Sequence, residues 1–298
     1  MSQTPLAKPA ESGKPRRLFS AEGLSPFQRF YLIFVAVAVL GPIIPTLIAS
    51  FAFRWAWPDL LPTEWWIDAR QTATTPLGWD YVFSPFSRLY EATLNTLLIG
   101  GLVTLVCVAI SLPAARVLAR ERFRGKSGVE FFLLTPLIVP DVAVGLGILL
   151  IFIQLGLAGS YTGIILAHLI PTVPYAIRVL TSVFQGLSTD FEEQARVLGA
   201  GPLKTLWYVT LPMIFPGIVA AGLFVFLVST NIFLLTFFVG RGQVETLPTL
   251  LFTRISSGGV LDPISAGITL ITMIPGIVLL LITERFIRDE VFAKGFGG

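Results

Sequence analysis

The stretch EEQARVLGAGPLKTLWYVTLP, residues 192–212, is a polar, glycine-punctuated segment with long apolar runs on both sides. Gly199 can take the left-handed conformation that ends many helices, and Pro202 suits the first position of a second helix. The pattern predicts two short helices joined by a tight turn, with the Leu-Pro pair at 211–212 closing the unit before the next apolar run.

The first of these helices carries its own start signal. Thr189 or Asp190 can cap it, and Glu192 or Glu193, three residues later, would complete a capping box. Glu192 and Arg196 are four residues apart in the favourable acid-first order. These signals predict that the helix forms in place rather than as part of a neighbouring apolar helix.

Phe191, Ala195 and Leu198 fall on one face of this helix and predict that it lies with that face against the apolar part of the chain. Glu193 and the turn at Gly199 would then point outward, where a soluble partner could hold them. The alternative is an ordinary connection between two apolar helices that happens to be helical.

The composition is that of a membrane protein. The chain has 298 residues, of which 54% are hydrophobic and 13% charged, whereas soluble domains carry about 25% charged residues. The net charge of +3 is spread over loops, which excludes nucleic acid as an expected partner. Cys107 and His168 are the single cysteine and histidine, which excludes an internal disulfide, a thiolate metal cluster and a histidine-based triad.

Apolar windows of about 20 residues predict membrane-spanning helices. Six windows qualify: 30–53, 89–112, 129–156, 161–183, 213–239 and 264–283. If the N-terminus lies in the cytosol, sixteen of the 21 Lys and Arg residues are cytosolic, which fits the positive-inside rule. The expected organisation is therefore a cytosolic tail 1–29, a transmembrane domain 30–285 and a cytosolic tail 286–298. The segment 184–212 would be cytosolic as well.

The segment 54–88 would face outward. Five of the six tryptophans lie in it. They form either an aromatic belt at the membrane interface or a docking surface for an external partner.

Asp141 lies about twelve residues into the third window, near the middle of the bilayer at about 1.5 Å per residue. An ionisable group at that depth is a candidate functional residue. Prolines and glycines around it predict a broken helix: Pro136, Pro140, Gly145 and Gly147. Asp141 would either cap the second half of that helix or contact a transported solute.

Three further polar residues are weaker candidates for a translocation path: His168, Thr230 and Asn231. A single histidine in a span is usually satisfied by a neighbouring helix, and an asparagine can hydrogen-bond between helices.

Residues 193–212 resemble the EAA motif of ABC importer permeases, which reads Glu-Ala-Ala, three residues, Gly, nine residues, Ile-x-Leu-Pro. The matching positions are Glu193, Gln194, Ala195, Gly199, Val209, Leu211 and Pro212, with Gln194 and Val209 as departures. The resemblance implies that this segment couples the chain to an ATPase. The coupling residues would be Asp190, Glu192, Glu193, Ala195, Arg196, Gly199, Ala200, Leu211 and Pro212.

The resemblance extends over residues 88–285 and is to the polyamine type of these permeases, the spermidine and putrescine kind. It is carried by PLIVPDVAVGLGILLIF at 136–152 and LAHLIPTVPYAIRVL at 166–180. The chain departs from that subfamily at 229–231, where Ser-Thr-Asn stands in place of acidic residues. Because carboxylates attract a polycation, this departure favours a zwitterion, an anion or a neutral solute.

The expected protein is an all-α permease subunit of a binding-protein-dependent ABC importer, with six spans, in a bacterial inner membrane and with both termini cytosolic. Its cargo would be a small polar solute: a polyamine, an amino-acid-like compound, a phosphonate or another small solute. The chain has no Walker GxxxxGK[ST] sequence, so ATP and Mg²⁺ would bind to a partner ATPase and no cofactor to this chain.

Three kinds of partner are implied by the resemblance. They are a pair of ATPase subunits, a second permease, expected to be a related but different chain, and an extracytoplasmic solute-binding protein. The main alternative is a gradient-driven carrier in which Asp141 and His168 relay protons. An intramembrane enzyme is disfavoured, since one histidine and one cysteine far apart offer no catalytic cluster.

Overall fold

The computed structural model describes residues 25–55, 58–258 and 262–295. The chain divides into two units, residues 1–45 and 46–298. Nearly all of the predicted N-terminal tail lies outside the described residues, and so do Trp57 and residues 296–298.

The first unit contains helix α1, Pro26–Leu40. Its start is fixed by a reciprocal pair of hydrogen bonds, in which Ser25 Oγ accepts from the backbone N–H of Gln28 and Gln28 Oε1 accepts from that of Ser25. This is a capping box. Helix α2, Ile43–Phe51, follows, and the stretch Pro26–Phe51 is long and apolar enough to cross a membrane.

The second unit is mainly helical. A short antiparallel pair, β1 (Ala52–Arg54) and β2 (Glu64–Trp65), was not expected from the sequence. The helices that follow are α3 (Trp66–Arg70), α4 (Gly78–Val82), α5 (Leu89–Arg120), α6 (Lys126–Leu134), α7 (Asp141–Gln154), α8 (Tyr161–Gly186), α9 (Asp190–Val197), α10 (Pro202–Thr205), α11 (Leu211–Asn231), α12 (Leu234–Gly240), α13 (Leu247–Gly258) and α14 (Pro263–Gly295).

Among the described residues, five helices could span a membrane, or six if the bent pair α6 and α7 is one span. This confirms the all-α membrane fold. The pair is bent by 93° after a 3₁₀ turn at Thr135–Leu137, which confirms the predicted break before Asp141. Proline removes a helical N–H and restricts the residue before it.

Two of the six predicted windows, the second and the fifth, differ from the helices that the structure has. The second span runs on past Pro113 to Arg120. The fifth span was expected at 213–239, but the helical stretch is Pro202–Asn231 and a break separates it from α12. The sixth window, 264–283, agrees with the candidate span Pro263–Ile282, and α14 continues beyond it to Gly295.

The core lies where α5, α8 and α11 pack together. Cys107 is fully buried there, among small and branched apolar side chains such as Val103, Ala167 and Val225. It packs as a small apolar residue, as the sequence indicated.

The segment 54–88, which was expected to face outward, has packed aromatic side chains of its own. Trp66 Nε1 donates to the carbonyl of Leu77 at 2.9 Å. The ring of Trp79 lies 5.8 Å from those of Phe51 and Phe83, measured between centroids. These two tryptophans are half-buried and pack against neighbouring side chains and backbone. The aromatic belt and the docking surface both stay predictions for this segment.

Candidate functional site

Helix α9 begins without the expected side-chain cap. Thr189 has helical backbone angles (φ −70°, ψ −19°) and makes no capping bond, because a capping side chain needs an extended backbone at that position. Ser188 Oγ instead accepts from the backbone N–H of Asp190 at 3.2 Å. The cap predicted at Thr189 or Asp190 was therefore wrong.

The buried face of α9 also differs from the prediction. Glu192 and Ala195 are buried, whereas Phe191 is 46% and Leu198 is 87% exposed. The prediction assigned residues to the buried face by their apolar character alone. The structure buries an acid there because that acid has partners.

Glu192 is held by three side chains. Thr210 Oγ1 donates to Glu192 Oε1 at 2.9 Å. Arg116 Nη2, on α5, lies 3.3 Å from Glu192 Oε2. Arg196 Nη2, one turn along α9, lies 3.9 Å from the same oxygen, which is the pair expected from the acid-first spacing. The side chain of Glu192 is only 6% exposed, and a buried carboxylate needs such partners.

The turn after α9 agrees with the sequence. Gly199 has φ +81°, and its N–H donates to the carbonyl of Arg196 at 2.9 Å. The N–H of Ala200 donates back to the carbonyl of Ala195 at 2.9 Å, which satisfies carbonyls that the helix end leaves free. Pro202 is the first residue of α10, as expected.

The Leu-Pro pair does not end the unit. A π-helical turn, Leu206–Thr210, joins α10 to α11, so residues 202–231 form one continuous helical stretch. Leu211 and Pro212 lie at the junction between the π turn and α11. The second half of the segment expected to be cytosolic, residues 202–212, and the fifth span are therefore one structural element.

The outer surface of the unit formed by α9, the turn and α10 combines acids with apolar side chains. Asp190 and Glu193 are exposed. Val197, Leu198 and Leu203 are also exposed. This surface can offer both an ion pair and an apolar contact to a partner.

Asp141 and Asn231 line one cavity. Two helix breaks meet there, one between α6 and α7 and one between α11 and α12. The remaining lining residues are Pro136, Leu137, Pro171, Tyr175, Val228, Ile232, Phe233, Leu234 and Leu235.

Asp141 is the first residue of α7, after Pro140. The side chain of Asp141 is exposed and lines the cavity. Among the described residues, no other group forms a hydrogen bond with its carboxylate. Asn231 Nδ2 donates to the carbonyl of Leu227 on its own helix at 2.8 Å, so the expected bond between helices is absent from this part of the chain. The acid is thus available to a solute.

His168 lies elsewhere. It is 1% exposed, with Nδ1 3.0 Å from Ser229 Oγ and Nε2 2.8 Å from Thr236 Oγ1. Neighbouring helices satisfy both ring nitrogens, as the sequence indicated. Thr230 is buried and donates to the carbonyl of Leu227. Neither residue lines the cavity that holds Asp141.

Sequence reasoning missed three residues of these two sites. Arg116 and Thr210 hold Glu192, and Tyr175 lines the cavity beside Asp141. Arg116 is 76 residues from Glu192 in the chain, and no local pattern joins the two. Tyr175 lies in an apolar run whose spacing predicts only a helix.

A charged cluster lies at the predicted outer end of α5. Arg88 contacts Glu91 through two nitrogens, at 3.1 and 3.0 Å. A third nitrogen lies 3.2 Å from Glu245 Oε2, in the turn between α12 and α13. Burial raises the pKa of the Glu245 carboxyl above its ordinary value, and Arg88 opposes that rise only in part.

Comparisons with known proteins agree on one family. The family described as "Binding-protein-dependent transport system inner membrane component" matches residues 108–289. The putrescine transport system permease protein PotI of Escherichia coli K12 is 32% identical over 255 residues, covering 82% of this chain and 90% of that protein. The molybdenum transport system permease protein ModB of Mycobacterium tuberculosis is 31% identical over 194 residues, covering 60% and 73%.

A solved bacterial ABC transporter involved in the import of the acidic polysaccharide alginate has a chain of similar fold. The TM-score is 0.67 at 19% identity, over 88% of this chain and 98% of that one. At this identity the likeness concerns the fold alone.

Proposed function

This chain belongs to the family of binding-protein-dependent transport system inner membrane components, the permease subunits of ABC importers, and we propose that its cargo is a small solute with an ammonium group. The solute crosses beside Asp141. The observation that carries the proposal is the cavity in which this unpaired acid meets two helix breaks.

The charges around the cavity favour a cationic group. Asp141 is the one formally charged residue among those that line the cavity. The helix dipoles there oppose one another, since α11 ends at Asn231 with its negative end, while α7 and α12 begin at Asp141 and Leu234 with their positive ends. The formal charge of Asp141 therefore decides the preference. Tyr175 adds a hydroxyl. A single acid can pair with one ammonium group without the cost of leaving several cationic groups unpaired.

This charge distribution fits a diamine or an amino-acid-like zwitterion better than a longer polyamine. The relative from Escherichia coli is named for putrescine, a diamine, and supports the first of these two. Relatives named for molybdenum, and for trehalose and maltose, are also similar to the chain. The experiment therefore needs an anion arm.

The test is uptake into vesicles that contain the complete complex, with its own binding protein outside and ATP inside. The probes are putrescine, spermidine, an aminoalkylphosphonate and molybdate. We expect saturable, ATP-dependent uptake of putrescine or the phosphonate. Asp141→Asn should reduce it at least about tenfold, the loss of about 1.4 kcal/mol of a charge-assisted contact. Thr230→Ser, a buried position off the cavity, is the control.

Uptake of molybdate alone, or uptake that Asp141→Asn leaves unchanged, would contradict the cargo proposal. It would leave the family assignment in place.

We further propose that residues 190–212 receive the ATPase. The supporting observation is the exposed surface of α9, the turn and α10, with its acids Asp190 and Glu193 and its apolar side chains. An ordinary connection between spans gains nothing from exposing Val197 and Leu198 to water. Copurification of an ATPase subunit with the tagged permease tests this point.

The remaining partners follow from the family. The complex would contain a pair of ATPases, a second permease of related but different sequence, and a solute-binding protein on the outer side. The chain is a multi-pass inner-membrane protein, and we place both termini in the cytosol. A pull-down from native membranes that returns this chain with a copy of itself and no other permease would replace the heterodimer with a homodimer.

The gradient-driven carrier is disfavoured by the geometry of its relay. Asp141 lines the cavity, while His168 is buried between Ser229 and Thr236. Transport that continues with a proton gradient and without ATP would support that alternative.

A further inference from the structure

We propose that Glu192 is the positioning residue that joins α9 to α5 and to the head of α11 at once, through Arg116 and Thr210, so that a movement of α9 reaches both spans. This inference rests on the proposed coupling role of residues 190–212.

The first step is that α9 cannot hold its position alone. It has eight residues, and an isolated helix of that length is not stable in water. Its apolar anchorage is slight, since Ala195 is its one buried apolar residue among those described and Phe191 is 46% exposed. The position of α9 therefore depends on polar contacts.

The second step is the direction of those contacts. One oxygen of Glu192 accepts from Thr210 Oγ1 at 2.9 Å, and the other lies 3.3 Å from Arg116 Nη2. Thr210 is fully buried in the π turn before α11, and Arg116 is one turn from the end of α5. One carboxylate thus bridges two different spans.

A second bond runs in parallel with this bridge. Arg120 Nη2 donates to the carbonyl of Leu187 at 2.8 Å, which ties the end of α5 to the chain just before α9. Arg196, on α9 itself, lies 3.9 Å from Glu192 and is 63% exposed, so its contribution is that of an exposed pair.

The third step concerns the reason that an acid, Glu192, occupies a buried position. Replacing a buried ion pair with apolar residues is often neutral or stabilising, so the pair is weak evidence for a role in stability. A hydrogen-bonded carboxylate instead restricts geometry, because it binds only donors that are placed at its two oxygens. The bridge fixes the angle and register of α9 against α5 and α11, which is what a transmitting element needs.

The test follows α9 in the complete complex and does not depend on the cargo. Spin labels are placed on α9 at Gln194 and on α5 at Val117, both exposed. Cys107 is buried and stays unlabelled. We expect one narrow distance distribution, with a mean that changes by less than about 2 Å between the nucleotide-free and the ATP-vanadate-trapped complex.

Glu192→Ala should broaden that distribution and separate the movement of α9 from that of α5. Thr210→Val, of nearly equal shape, should have the smaller effect of losing one of the two bonds, and Thr210→Ser should restore the wild-type distribution. Arg122→Gln, an exposed charge after α5 and outside residues 190–212, is the matched control and should leave it narrow.

Function is read as uptake per ATP hydrolysed, with whichever of the four probes the wild-type complex carries. Glu192→Ala should lower this ratio about tenfold in complexes that retain the ATPase. A narrow distribution and an unchanged ratio in Glu192→Ala would overturn the inference. If that variant fails to assemble, equal results for Thr210→Val and Thr210→Ser would overturn it.

The proposed coupling role fails in a different way. In that case the wild-type complex itself retains no ATPase, or its uptake does not depend on ATP.

Discussion

The turn at Gly199 offers a sharp test of coupling, through the substitution Gly199→Val. Gly199 has φ +81°, and a Cβ added there would meet no other atom within 4 Å. The cost of valine is therefore conformational and not a clash. For a β-branched residue in the left-handed region it is on the order of 1–3 kcal/mol.

This cost is comparable with the free energy of the hydrogen bonds that close the turn. Two backbone hydrogen bonds close it, from Gly199 to Arg196 and from Ala200 to Ala195. Each stabilises by about 1 kcal/mol net. A penalty of about 2 kcal/mol cancels them and leaves the turn formed in about half of the molecules, while α11 and the core are untouched.

The assay is substrate-stimulated ATP hydrolysis and uptake by complexes of equal expression. Both should fall about twofold in Gly199→Val at a penalty of about 2 kcal/mol, and about tenfold if the penalty exceeds the two bonds by about 1.4 kcal/mol. Two controls are matched to it. Gly199→Asn should be tolerated, because asparagine accepts the left-handed region. Gly201→Ser should be neutral, because Gly201 has φ −70° and serine favours the position before a helix.

Wild-type uptake by Gly199→Val at normal expression would refute the reasoning. So would an equal loss in Gly199→Asn, since the left-handed backbone would then not be the cause.

The other predictions concern docking, orientation and pH. Glu193→Lys reverses an exposed charge and should weaken copurification of the ATPase in a salt-dependent way; retention equal to wild type at low salt would contradict the docking role. A cysteine at Thr74 should react with an impermeant thiol reagent from outside and one at Ser127 should not; the reverse pattern would invert the chain in the membrane. Burial raises the pKa of Glu245, so its protonated form favours folding, and that stability is lost as the pH rises through the raised pKa. Glu245→Gln should flatten the fall in thermal unfolding temperature as the pH rises above the ordinary pKa of a glutamate, about 4.3, and an unchanged slope in detergent would contradict it. Arg88→Gln removes the opposing charge and should steepen the fall instead.

The spans were predictable because apolar runs of the required length are a property of the sequence alone. The break before Asp141 was predictable for the same kind of reason, since Pro136 and Pro140 remove helical N–H groups. The break after Asn231 was not, because no proline or glycine stands at 232–233. Phe233, at the break, has its ring 4.7 Å from that of Phe252 on α13, a contact that no local pattern in the sequence indicates.

In the coupling segment, too, the local features were predictable and the contacts with distant residues were not. The turn at Gly199 and the pair Glu192–Arg196 are local, and the sequence predicted both. The predicted buried face of α9 was wrong, because Glu192 is buried there with Arg116, which comes from another helix. Prolines also misled the reading of the fifth span: the π turn ends just before Pro212, so the missing N–H falls at a junction and the helix continues.

The continuity of residues 202–231 has a mechanical consequence. Thirty residues of helix measure about 45 Å at 1.5 Å per residue. Its first turn lies in the segment proposed to meet the ATPase, and its last residue, Asn231, lines the cavity that contains Asp141. Used as a lever, a rod of that length that tilts by about 5° about one end displaces the other by about 4 Å, more than the diameter of a water molecule. A small rotation at the end proposed to meet the ATPase would thus suffice to open or close the proposed solute path beside Asp141.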